Sequence, residues 1–283
     1  MIPADPSLGR LRRSFVTDPV PADFAAAFDA VRARLTPLGH RVLFFNRTTS
    51  TNDLALMLSA EADAEGTVVI ADEQTSGRGR LGRVWQSPAG SGLYVSIVLR
   101  PSRGGSGGDR ATGLLTLAAG VALAEAVEEV TALAPEIKWP NDLLIGRRKV
   151  AGILAEAASS DLAHIVLGYG INVGTAALPP DVETRATSLE SELGRAVPRA
   201  ALCAATVAAV AQRYRDLLDG RFDAILDAWR ARSRSSRDAR VTWSTPAGPQ
   251  SGITEGIDER GALLVRVGER IERIVGGELE WKF

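Results

Sequence analysis

The chain has 283 residues, a formal net charge of −1, and 45% hydrophobic and 24% charged residues. That length and balance suit a folded chain of about two domains and exclude a disordered segment or a small stapled scaffold. The near-neutral charge excludes an overall basic nucleic-acid footprint. The single cysteine, Cys203, excludes an internal disulfide and points to a reducing, cytoplasmic setting.

The first residues, with Pro3, Asp5 and Pro6, carry no apolar signal region. Residues 1–40 read as an N-terminal extension, Pro-rich and then Ala-rich. Phe24, Phe28, Val31 and Leu35 recur at helical spacing, which predicts one amphipathic helix over 22–35. From residue 41, short apolar strands alternate with helices. Strands are expected at 41–45 and 67–72, with a helix over 52–62 that Ser50, Thr51 and Asn52 would cap. A third strand is expected at 92–99, then a flexible loop at 102–109 (SRGGSGGD) and a long helix over 111–130. The apolar run 113–124 within it is too short to cross a bilayer, so no membrane partner is expected. Further strands are expected at 137–139, 143–145, 150–156 and 163–168, a loop at 174–189, and helix over 198–232. The arginine-rich stretch 221–240 reads as a solvated helix face and hinge, with docking of an acidic partner as the other use. Beyond Asp238 the texture changes to short strands punctuated by glycines, the pattern of a small β-barrel.

Five constellations carry chemistry. Gly77–Arg83 (GRGRLGR), followed by Trp85, combines three glycines that admit close backbone approach with three guanidinium forks suited to phosphate or carboxylate. It lacks the GK[ST] of a P-loop and opens no helix, which rules out a dinucleotide fingerprint. Its three clustered charges repel one another in an empty site, so the loop is expected to order around an anion, with 174–186 as a second candidate lid. Lys138-Trp139-Pro140-Asn141-Asp142 is a turn by composition, with an ammonium and a carboxylate at its ends. Lys149–Leu154 places a lysine at the head of an apolar strand in which Gly152 leaves room. Gly168-Tyr169-Gly170-Ile171-Asn172 pairs two glycines at a strand end. Ser50-Thr51-Asn52 sets small polar groups at a helix start. Taken singly, each also fits a bland role as surface loop, ion-paired turn, strand gatekeeper, bulge or N-cap. Of 33 basic residues only Lys138, Lys149 and Lys282 are lysines, and two of them fall inside these motifs.

Together and in this order, Ser50-Thr51-Asn52, Gln74, GRGRLGR-x-W, KWPND, Lys149–Leu154 and GYGIN resemble the motifs of biotin–protein ligases (biotin–[acetyl-CoA carboxylase] ligases). The C-terminal GIDERGALLV and GGEL segments resemble the small domain that follows the catalytic one. The resemblance implies an α+β fold: a mixed-sheet catalytic domain of the class II synthetase/biotin ligase type over 41–237 and an SH3-like β-barrel over 238–283. It also implies the monofunctional class without an N-terminal DNA-binding domain, hence no repressor role and no nucleic-acid partner. Relatives occur as monomers or sheet-edge dimers, so the resemblance admits a homodimer and does not choose between the two.

The implied substrates are biotin and ATP, with Mg2+ accompanying ATP, and the partner is the carrier domain of a biotin-dependent carboxylase. The implied biotin-binding set is Ser50, Thr51, Asn52, Gln74, Arg78, Gly79, Arg80, Trp85, Lys149, Gly152 and Leu154. The implied ATP and adenylate set is Arg78, Arg80, Arg83, Trp85, Lys138, Asn141, Asp142, Lys149 and Asn172, with Asp142 the metal candidate. Lys149 and Arg80 would be catalytic through their charge. The nearest rival is a lipoate ligase, against which the polar Ser50, Thr51, Asn52 and Gln74 set argues. A nucleic-acid module using the arginine loop and a non-catalytic sensor are the rivals from other classes.

Overall fold

The structure is a computed structural model that describes residues 16–158, 164–174, 184–246 and 248–282. In chain order it runs α1 (Ala22–Ala30), β1 (Arg41–Thr48), α2 (Thr51–Leu58), β2 (Thr67–Gln74), β3 (Gly92–Leu99) and α3 (Gly108–Thr131). There follow β4 (Glu136–Lys138), β5 (Asp142–Ile145), β6 (Arg148–Ala157), β7 (Ile165–Asn172), α4 (Leu189–Leu193), α5 (Arg199–Leu218) and α6 (Phe222–Arg232). The chain closes with β8 (Arg237–Thr245), β9 (Gly248–Ile257), β10 (Leu263–Val267), β11 (Arg270–Ile274) and β12 (Glu280–Lys282).

Seven strands form one mixed sheet in the order β1-β2-β3-β7-β6-β5-β4, with β1 and β2 parallel and the remaining neighbours antiparallel. The parallel pair needs a crossover, and α2 supplies it. The last five strands form a separate antiparallel sheet in the order β11-β10-β9-β8-β12. The expected α+β architecture with a small C-terminal β unit is therefore what the chain adopts.

Strand periodicity divides the large sheet into two chemically different faces. On one face Leu93, Val95, Ile97 and Leu99 of β3 and Leu167, Tyr169 and Ile171 of β7 join the main core beneath α3 and α5. On the other, Phe45, Val69, Ala71, Val98 and Val166 form a smaller core under α2. Beyond the reach of α2, that second face carries Ser96, Gly152, Leu154, Glu156, Gly168 and Gly170. The candidate site residues gather over this glycine-rich part of the sheet.

Helix α3 is long and apolar enough to cross a membrane by length and composition, yet 72% of its apolar window is buried inside the molecule. Its packing against α5 and the sheet accounts for its hydrophobicity. The C-terminal sheet is no loose appendage: Val241, Ile257, Leu263 and Val265 belong to the main core. The indole N–H of Trp139 donates to the Gly261 carbonyl at 3.0 Å, and Gly261, at φ +81°, lies close against Leu114 of α3.

Four sequence expectations are corrected. The helix predicted over 22–35 ends at Ala30 and continues as a 3-10 turn, although Phe24, Phe28 and Leu35 are buried as the spacing implied. Residues 101–107 form two short 3-10 turns, broken at Gly104 and Gly105, that lead into α3, rather than a flexible loop. Gly104 packs beside Leu218, and Gly107 lies so close to the Phe222 ring that an added Cβ would crowd it. The helix over 198–232 breaks at Asp219–Arg221, where Gly220 takes φ +72°. Finally, Ser50 makes no side-chain cap on α2. Residues 159–163 and 175–183, part of the strand predicted over 163–168 and of the second candidate lid, lie outside the described residues.

Candidate active site

The site begins at the start of α2. The Thr51 backbone N–H, one of the donors a helix leaves unpaired, goes to Gln74 Oε1 at 2.8 Å, so a side chain from β2 does the capping. The Thr51 amide is thereby already paired within the protein. Thr51 Oγ1 also donates to Gln74 Oε1, at 3.1 Å, and Gln74 Nε2 donates to Ser87 Oγ at 2.8 Å, which fixes the amide orientation. Behind them Ser96, fully buried on β3, lies 2.8 Å from Thr51 Oγ1 and 2.6 Å from Asn52 Oδ1. Asn52 Nδ2 donates to Glu156 Oε2 at 2.8 Å. Gly168 makes this possible, because a Cβ there would collide with the Asn52 carboxamide.

The arginine loop is a tongue folded over this recess. Bridges Gln74↔Ser87 and Arg78↔Val84 and the bonds Trp85 N–H to Gly77 O (2.9 Å) and Gly79 N–H to Arg83 O (2.7 Å) build it as a hairpin. Its tip, Arg80–Gly82, is a 3-10 turn in which Leu81 (φ 57°) and Gly82 (φ 73°) are both left-handed. The Trp85 ring lies on the sheet where Gly152 and Gly170 leave space; a Cβ at either would strike it. Its indole N–H is buried without a hydrogen-bond partner.

The expectation that three arginines repel one another in the empty site is overturned. Each guanidinium reaches a different protein acceptor. Arg78 donates to Asp53 Oδ1 at 2.6 Å and Glu156 Oε1 at 2.8 Å. Arg80 donates to Asn141 Oδ1 at 2.9 Å and to the Gly277 carbonyl at 3.3 Å, and Arg83 pairs with Glu278. The tongue is thereby tied to α2, to β6, to the turn before β5 and to the C-terminal sheet.

Lys149 Nζ lies 2.6 Å from Asp142 Oδ1 and 5.3 Å from the centre of the Trp85 ring. Its backbone is held on both sides, the N–H by Arg185 O at 2.8 Å and the carbonyl by Thr187 N–H at 2.9 Å. Lys138 lies on β4 with its ammonium 6.0 Å from the Trp281 ring. Burial pushes its pKa below the ordinary lysine value; Lys149 and Arg83 push the same way, and Asp142 and Glu278 oppose them.

All eleven biotin-binding candidates line one recess, together with Asn141, Ile153, Gly168, Tyr169 and Gly170. Its free space is about 50 Å³, room for a few water molecules. Two cavities of about 330 Å³ adjoin it along the junction with the C-terminal sheet. One collects Arg83, Lys138, Asp142 and Lys149 opposite Glu278 and Trp281, and the other is walled by Trp139, Arg260 and Arg273. Arg80 and Asn141 line all three spaces. Asn172 lines none of them; its amide donates to Thr187 O at 3.0 Å. Among the described residues no three or more His, Cys, Asp or Glu side chains gather as a metal seat.

Sequence reasoning passed over Glu156, Asp53, Ser96 and Glu278. Glu156 was within its reach, because it shares period-two parity with Gly152 and Leu154 on β6. The others come from elements whose approach the sequence does not encode locally.

The chain matches the Biotin/lipoate A/B protein ligase family over residues 44–172 and the biotin protein ligase C-terminal domain over 240–280. It is 36% identical over 243 residues to the biotin--[acetyl-CoA-carboxylase] ligase of Mycobacterium tuberculosis, covering 82% of this chain and 86% of that one. It is 33% identical over 247 residues to the bifunctional ligase/repressor BirA of Bacillus subtilis, covering 86% and 74%. The fold matches the Aquifex aeolicus biotin protein ligase complexed with biotin and ATP at a TM-score of 0.74, with 28% identity and coverage of 86% and 99%. With both parts matched in order and relatives above 30% identity along most of their length, the chain belongs to the biotin protein ligases.

Proposed function

We propose that this chain joins biotin to a lysine of an acetyl-CoA carboxylase-type biotin carrier domain, through biotinyl-5′-AMP, forming AMP and diphosphate. The observation that carries this reading is the continuity between a buried polar recess and a cation-rich cleft, with Arg80 and Asn141 at their junction. A ureido ring held by its polar edge among Ser50, Thr51, Asn52 and Gln74 would deliver its carboxylate tail to Arg80 and Lys149. The Trp85 indole would shift to make room, and its unpaired N–H would find an acceptor on the ligand.

In the first step a biotin carboxylate oxygen attacks the α-phosphorus of ATP and diphosphate leaves. Two anions must meet, so fixed positive charge is what the reaction needs most. Lys149 and Arg80 supply it at the reacting atoms, exchanging Asp142, Asn141 and Gly277 O for ligand oxygens. Lys138 and Arg83 serve the phosphates, Arg78, Gly79, Gly152 and Leu154 enclose the vitamin, and Asn172 acts from behind the site by holding Thr187, whose N–H holds the Lys149 carbonyl. Magnesium would accompany ATP as part of that substrate, and Asp142 of the cleft is the carboxylate that would contact it. In the second step the carrier lysine amine attacks the anhydride carbonyl carbon and AMP departs.

The reading takes no nucleic acid or membrane as partner and places the enzyme in the cytoplasm, where its carboxylase substrate and ATP are found. A lipoate ligase is disfavoured because a ureido ring offers the polar recess two N–H donors and a carbonyl acceptor, whereas a dithiolane offers it no hydrogen-bonding group. The test is mass analysis of a purified carrier domain after incubation with the chain, ATP and either biotin or lipoate. Addition of biotin alone, on the carrier lysine and only with ATP, is expected. Equal transfer of lipoate, or no transfer, would contradict the reading.

A further inference from the structure

We infer that Glu156 is a positioning residue: its two carboxylate oxygens tie Asn52 in the recess to Arg78 of the tongue, so that recess shape and tongue closure are set together. The inference rests on the biotin-ligase reading above.

Glu156 Oε2 accepts from Asn52 Nδ2 and Oε1 from Arg78, both at 2.8 Å. Ser96, fully buried, holds the other end of the same Asn52 carboxamide at 2.6 Å. Asn52 is therefore clamped from β3 and β6 at once and cannot turn its amide without breaking one of the two bonds. Arg78 is equally committed, because its second nitrogen donates to Asp53 Oδ1 at 2.6 Å. Two carboxylates already neutralise this guanidinium. Of the three tongue arginines it is thus the strap, leaving phosphate and carboxylate binding to Arg80 and Arg83, whose present partners are an amide, a carbonyl and one exposed carboxylate.

Glu156→Gln is nearly isosteric and keeps an acceptor for Asn52, but it turns an N–H donor toward Arg78. Asp53→Asn weakens only the outer arm of the strap, at an exposed position that carries no core packing. Biotin-dependent ATP–diphosphate exchange on the full chain reads the effect. Loss of a hydrogen bond between charged groups is expected to raise the biotin KM about tenfold in Glu156→Gln and about twofold in Asp53→Asn. The kcat and the ATP KM should stay within about a factor of two. Because one interaction is removed from either side, the double variant Glu156→Gln/Arg78→Gln should be no worse than Arg78→Gln alone.

An unchanged biotin KM in Glu156→Gln, a rise confined to the ATP KM, or independent penalties in the double variant would overturn the inference. A second readout does not depend on activity. Trypsin cleavage after Arg78, Arg80 and Arg83, mapped by mass in the ligand-free protein, should be several-fold faster in Glu156→Gln, and equal rates would overturn the strap. If the unaltered chain showed no biotin-dependent exchange, the functional reading would fail, and the cleavage rates would still decide the fate of the strap.

Discussion

The recess and the cleft beside it use polar groups in opposite ways. In the recess, Thr51, Asn52, Gln74 and Ser96 are buried or half-buried and bond to one another, to Ser87 and to Glu156, a closed and mostly neutral network over glycines 152, 168 and 170. In the cleft, Arg83, Lys149, Asp142 and Glu278 form ion pairs that remain partly open to solvent. A closed hydrogen-bonded network holds a shape, whereas ion pairs that solvent can reach exchange partners more readily. On the proposed reading, the difference would give selection of the vitamin to the rigid region and activation of its carboxylate to the exchangeable one.

The largest expected effect comes from the cleft. Lys149→Ala should slow biotin-dependent ATP–diphosphate exchange by about 10²–10³-fold, the size of removing one preorganised charge partner, with the biotin Kd changed far less. A comparable loss of biotin affinity without loss of turnover would erase the division of labour. Next comes the recess. Gly168→Ala drives a methyl into the Asn52 carboxamide. It should raise the biotin Kd by about tenfold or more, about 1.4 kcal/mol, and cost about 1–3 kcal/mol of stability from overpacking. Calorimetric titration and thermal melts check both.

A smaller effect follows from Lys138. With its pKa held below the ordinary lysine value, the ammonium loses its proton earlier than usual as pH rises. Phosphate binding that uses it should weaken through that range, so the ATP KM should climb on the alkaline side. Lys138→Arg, which stays charged, should flatten the profile. The smallest effect is expected at Glu278→Gln. The Arg83 pair is 67% and 56% exposed, so its loss should change stability by about 0–1 kcal/mol. Melting in about 1 M salt, where the screening length is about 3 Å, should remove the difference.

Much of this was legible in the sequence for identifiable reasons. Short apolar runs bounded by glycine and polar residues marked the strands, and the ordered motifs named eleven biotin-binding candidates that all meet in one recess. What the sequence withheld were pairings between distant segments. Nothing near residue 51 says that Gln74 caps α2, and nothing in GRGRLGR says that Asp53, Glu156 and Glu278 neutralise it. Local composition therefore predicted a self-repelling loop where tertiary partners make a tied one. The 101–107 stretch failed likewise: its glycines read as flexible, yet Gly107 lets the Phe222 ring of α6 pack closely against the turn.

The central claim is that recess and cleft together make and retain an acyl nucleotide. Incubating the chain with biotin and MgATP in the absence of any carrier, removing free small molecules by rapid gel filtration and weighing the bound fraction by mass spectrometry tests it directly. Biotinyl-5′-AMP should remain with the protein at close to one molecule per chain. Recovery of only free biotin and AMP, with no acyl nucleotide retained, would contradict the account.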